Sequence, residues 1–60
     1  MDYRRLTRDE CVSVASDNEK ARLTMITDMS LFQALARRWC DSNGYKLGGY
    51  LGNLCWDATK

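Results

Sequence analysis

Apolar residues recur every four positions in one stretch of this chain. Leu31, Leu35 and Trp39 fall on one line of a helix, and Phe32, Ala34 and Ala36 widen that line into a face. The spacing predicts a helix that begins after Ser30 and stops at Asn43 and Gly44. Ser30 is the expected N-cap, Gln33 its capping-box partner, and Met29 with Ala34 the hydrophobic staple. Gly44, helped by Asn43, supplies the left-handed residue that closes many helices. Arg37, Arg38 and Asp41 fall on or near the opposite side.

Upstream, residues 1–6 are polar and basic and read as a short arm. Leu6-Thr7-Arg8-Asp9-Glu10-Cys11 then gives a clear helix start. Thr7 is the N-cap, Glu10 reaches back to it, and Leu6 and Cys11 sit at staple positions. This short helix is expected to end near Ser16 or Asp17. Ser16-Asp17-Asn18-Glu19 fits either a turn or the capping box of a second helix. From Lys20 to Thr27 the pattern admits both a helix and a strand. The helix, which puts Ala21, Met25, Ile26 and Met29 on one face, is preferred.

After Gly44, the residues Leu47, Tyr50, Leu51, Leu54 and Cys55 have the i, i+3, i+4, i+7, i+8 spacing of an amphipathic helix. Gly48, Gly49 and Gly52 weigh against it, at roughly 1 kcal/mol each relative to alanine. The competing reading is a hairpin, 45–47 with 50–54, turned at Gly48-Gly49. The longer periodic match favours the helix, followed by a polar tail at 57–60. The resulting expectation is an all-α single domain, residues 1–60, of three to four short helices. The alternative is an α+β domain with the central helix on a small antiparallel sheet made from residues 22–27 and a C-terminal hairpin.

Length sharpens this picture. Sixty residues allow one small core, burying only about 60% of the unfolded chain's surface, so a staple is expected. Cys11, Cys40 and Cys55 are odd in number, widely spaced and without a CxxC pair, and no apolar leader follows Met1. They read as reduced thiols of a cytoplasmic protein. With no histidine present, three scattered thiols do not complete a structural zinc site. Self-association as a homodimer is the staple left over. The net charge of +1 provides no general field for nucleic acid or membrane, and no apolar run approaches the roughly 20 residues of a membrane span.

Candidate chemistry is sparse. General acid–base work at neutral pH is most often done by histidine, which is absent. Cys11 lies in a first turn near Arg8, but Asp9 and Glu10 oppose its ionisation. The carboxylates are accounted for as caps and first-turn charges. Gly48-Gly49-Tyr50-Leu51-Gly52 lacks the lysine and Ser/Thr of a phosphate loop. No catalytic, metal or cofactor residue is expected, and the chain is read as non-enzymatic.

Binding remains. Trp39, Trp56, Phe32, Tyr45, Tyr50, Met25 and Met29 are more large side chains than so small a core easily hides, and such types are enriched at interfaces. Trp39 is assigned to the core. Trp56, Tyr50 and Tyr45 are the expected protein-binding residues, with Arg37 and Arg38 setting partner choice by charge. The alternative is a small nucleic-acid-binding regulator using Arg4, Arg5, Arg8, Arg37, Arg38 and Lys46, with Tyr3, Tyr45 and Tyr50 adding stacking. Phe32 to Leu51 lacks the spacing of a helix-turn-helix. The profile is that of a small regulatory or accessory protein, of the kind bacteria and their phages encode in numbers.

Overall fold

The structure, a computed structural model, describes residues 3–60. Six elements follow in order: β1 (Tyr3–Leu6), α1 (Arg8–Ser13), α2 (Asp17–Met25), α3 (Met29–Asn43), β2 (Lys46–Gly52) and β3 (Cys55–Thr59). The strands form one antiparallel sheet in the order β1-β3-β2. The architecture is therefore α+β, and the all-α expectation is corrected. The alternative class fits, and its C-terminal hairpin is present, but its remaining strand comes from other residues. Residues 22–27 form no strand. The third strand comes from the expected basic arm, whose residues 1 and 2 lie outside the described residues. The expected polar tail is inside β3 up to Thr59.

Local chemistry explains the helix ends. At α1, the Thr7 backbone N–H and hydroxyl both donate to Glu10 Oε1, each at 3.1 Å. At α2, Ser16 N–H donates to Glu19 Oε1 (2.8 Å) and Glu19 N–H donates to Ser16 Oγ (3.3 Å), a reciprocal capping box. α3 starts earlier than expected. Asp28, not Ser30, is its N-cap, because the Asp28 carboxylate accepts from Leu31 N–H at 3.0 Å and from Arg22 at 2.7 Å. Ser30 and Gln33 thereby move onto the exposed side of the helix. The far end is closed as expected, by Gly44 at φ 73°.

The segment expected to be a C-terminal helix is a hairpin instead. Its turn lies at Asn53 and Leu54, with φ 53° and 57°, between the paired residues Gly52 and Cys55. Two left-handed residues in succession suit the right-handed twist of the strands they join. Gly48 and Gly49 lie within β2, where the pairing with β3 shifts between Leu47 and Tyr50.

The sheet has a helix-covered face and an outer face. On the covered face Leu6 opposes Trp56, Arg4 and Leu47 oppose Ala58, and Tyr50 opposes Trp56. Onto it packs α3, with Leu31, Phe32, Leu35, Ala36, Trp39 and Cys40 buried. α1 adds Cys11 and α2 adds Leu23. Trp39 takes the core place expected of it. All three cysteines are free and buried, and burial pushes the Cys11 thiol up to about 11 and raises that of Cys40. No helix among the described residues is long and apolar enough to cross a membrane.

Candidate functional site

The six cations expected to track a nucleic-acid backbone do not share a face. Arg4 bonds Glu10 and lies 4.7 Å from the centre of the Trp39 ring. Arg8 lies 5.9 Å from the Phe32 ring and 3.9 Å from Asp9. Arg38 is a clip: its guanidinium donates to the Val14 carbonyl (3.0 Å) and to both Glu19 oxygens (2.9 and 3.3 Å). That clip fastens α3 to the start of α2, and it holds the Glu19 carboxyl down at about 2, with the Ser16 N–H assisting. Arg5 opposes Asp57 across the sheet and Lys46 opposes Thr59, which places both on the outer face. Arg37 lies on the exposed ridge of α3 with Ser30, Gln33 and Ala34. Arg5, Arg37 and Lys46 make no salt bridge among the described residues.

The residues expected to bind protein are also divided. Trp56 is only 3% exposed and belongs to the core, beneath the ring that covers it. That ring is Tyr50, half exposed, tilted on Trp56 at 5.1 Å between centroids. Its hydroxyl accepts from Leu54 N–H at 2.9 Å, so the hairpin turn holds it in place. Tyr45 is half-buried, packs on Trp39 at 5.5 Å and lies under Lys60. Of the five, Tyr50 and Arg37 are the two whose side chains are free to meet a partner.

A different set of apolar residues is exposed. Met25 is 83% exposed, Ile26 65%, Met29 42% and Leu51 43%. Met25, Ile26 and Met29, which the helical pattern puts on one face, stand at the corner between α2 and α3. The chain leaves α2 at Ile26 in extended conformation, so the corner turns away from the core before α3 begins. Met29 and Tyr50 then face one another across a cleft of about 390 Å³ between α3 and β2. Ser30 and Gln33 line its helix side, Gly48 and Gly49 its strand side, and Trp56 its base. Among the described residues of the lining, Tyr50 is the only titratable group. Gly48 has a steric reason to be glycine, since an added Cβ would stand 3.0 Å from Asp57 Cβ and 3.1 Å from its carbonyl oxygen.

Of these residues the sequence reading names Met25, Met29, Tyr50 and Trp56 as interface types, but not Ile26, Leu51, Ser30, Gln33, Gly48 or Gly49. Ser30 and Gln33 had been assigned to capping, and the glycines to a helix or a turn. Among the described residues, no three His, Cys, Asp or Glu side chains stand where they would hold a metal ion. No family model matches the chain, and no curated protein or solved structure matches it.

Proposed function

We propose that this chain is a non-enzymatic protein-interaction module, a small regulatory or accessory protein that docks a partner on the surface running from Met25 and Ile26 through Met29 to Tyr50 and Leu51. The observation that carries this reading is that exposure. In a chain this short, these five large apolar side chains stand 42–83% in solvent, with Tyr3 exposed elsewhere, while Leu6, Leu35 and Ala36 are fully buried. Methionine and aromatic side chains beside an uncharged cleft suit the centre of an interface, from which charges are depleted. Arg37, one helix face away, supplies a polar rim. A second copy of the chain is among the partners this surface admits, and three reduced, buried thiols suit the cytoplasm.

The test is a tagged pull-down from cytosolic extract, divided into nuclease-treated and untreated halves and repeated with Ile26→Glu and Tyr50→Ala. A discrete protein retained after nuclease, and lost with either variant, is the expected result. Retention unchanged in both variants would remove the surface from consideration.

The second reading is nucleic-acid binding, favoured by the α3 ridge. Ser30, Gln33, Ala34 and Arg37 repeat at i, i+3, i+4 and i+7, and all four are types that contact base edges in a major groove. It ranks below the first because Arg4 and Arg38 are held by carboxylates while Arg5 and Lys46 lie on the other side of the sheet. Phosphate contacts dominate such affinity. Nuclease-sensitive retention that disappears with Arg37→Ala would reverse the ranking.

A further inference from the structure

We infer that the partner is engaged as an added strand: an uncharged, extended peptide segment pairs along the open edge of β2 and lowers alternate side chains into the cleft beside α3. This rests on the protein-interaction reading and specifies the chemistry of the bound segment.

Two independent features lead to it. The first is the unequal treatment of the two sheet edges. β1, at one edge, is four residues long and carries Arg4 and Arg5, the short charged form that discourages pairing. β2, at the other, is seven residues long and carries a single charge, Lys46 at its start. Among the described residues no strand lies beside its outer edge, which offers a row of backbone N–H and C=O groups whose complement is another extended backbone. The stretch Gly48–Leu51 is exposed, and neither Gly48 nor Gly49 carries a side chain that would crowd an approaching strand.

The second feature is the position of the cleft. It lies between this edge strand and α3, where a bound strand's inward side chains would point, since successive residues face opposite sides. Its volume of about 390 Å³ is at the small end of the range for ligand pockets and suits a few side chains. Among the described residues the lining contains no Asp, Glu, Lys or Arg, so a charged side chain entering it would lose hydration without gaining a counter-ion from them. Met29 and Tyr50 favour aliphatic or aromatic residues. Ser30 and Gln33 offer hydrogen bonds to a hydroxyl.

Random decapeptides displayed on phage, selected against the immobilised full chain, provide the probe. Enriched sequences are synthesised and titrated into labelled protein by NMR. The expected peptides are uncharged at alternate positions and shift the amides of β2 together with Met29, Ser30 and Gln33. Methylating alternate backbone nitrogens, on the register that faces β2, is expected to weaken binding about tenfold or more. Met29→Glu, at a partly exposed position, is expected to do the same without changing the circular dichroism spectrum. Strand addition is overturned if no peptide is enriched, if the shifts centre on Met25 and Ile26 without β2, or if both methylation registers bind equally. The pull-down with Ile26→Glu and Tyr50→Ala judges the broader reading separately, so the two can fail independently.

Discussion

The C-terminal half of α3 and the α2–α3 corner are held by different kinds of force. Around Leu35, Ala36, Trp39 and Cys40, helix meets sheet and α1 with side chains that are almost wholly out of water. α2, by contrast, buries one residue, Leu23, and is fastened by polar contacts at its ends. Arg38 reaches Glu19, Arg22 reaches Asp28, and Ser16 with Glu19 caps the start. Apolar packing in the first region sets stability. Polar clips in the second set where the exposed methionines stand, at little cost in hydrophobic area. A small chain can thus hold one apolar group in its core and display another on its surface.

The sharpest break in this comparison is Leu35→Ala. Emptying a fully buried leucine site costs about 2–5 kcal/mol, against the roughly 3–9 kcal/mol expected of a domain this size. Urea denaturation followed by tryptophan fluorescence is expected to show a large fall in the midpoint. Next come two neighbouring glycines of the edge strand. Gly48→Ala drives a Cβ into Asp57 and is expected to cost about 1–3 kcal/mol. Gly49→Ala meets open space and is expected to be neutral or stabilising by up to about 1 kcal/mol. Equal effects in the same denaturation assay would deny the close approach at Gly48.

The Arg38–Glu19 clip gives a pH signature. Folding lowers the Glu19 carboxyl from 4.5 to about 2, so its stabilising contribution is complete above about pH 4.5 and is lost as pH falls toward 2. Thermal midpoints measured across that window are expected to fall more in the parent than in Glu19→Gln. The smallest effect is expected at Met25→Glu, within about 0.5 kcal/mol of the parent, because that side chain is already in solvent. A large loss there would show that the corner is part of the stabilising core.

How much of this was legible beforehand depended on how local each signal is. α3 was legible because Leu31, Leu35 and Trp39 repeat at helix spacing and Gly44 stops the helix within the same window. Thr7 with Glu10, and Ser16 with Glu19, are likewise three residues apart. The hairpin was masked by its own irregularity. Leu47 and Tyr50 both oppose covered-face residues of β3, yet they are three apart because the pairing shifts between them. A bulge inserts the extra residue and gives a strand the spacing of a helix. The turn was equally hidden, since Asn53 is followed by leucine where glycine is the usual second left-handed residue. β1 carries one buried residue in four, and its partner lies at the far end of the sequence. The candidate site was the least legible part. It exists only because the extended break at Ile26 exposes Met25 and Met29, and because the sheet order leaves β2 without an outer neighbour.

That sheet order also sets a timetable for the newborn chain. β3 touches both other strands and is synthesised after the other five described elements, so β1 and β2 lack their partner in this sheet until residues 55–59 emerge. At about 5–20 residues per second, β1 waits roughly 3–10 s for its neighbour. α3 closes within a microsecond or so of its own emergence. Between the emergence of α3 and that of β3 the nascent chain presents the sheet-facing side of α3 without its sheet, which is when a holdase would find it.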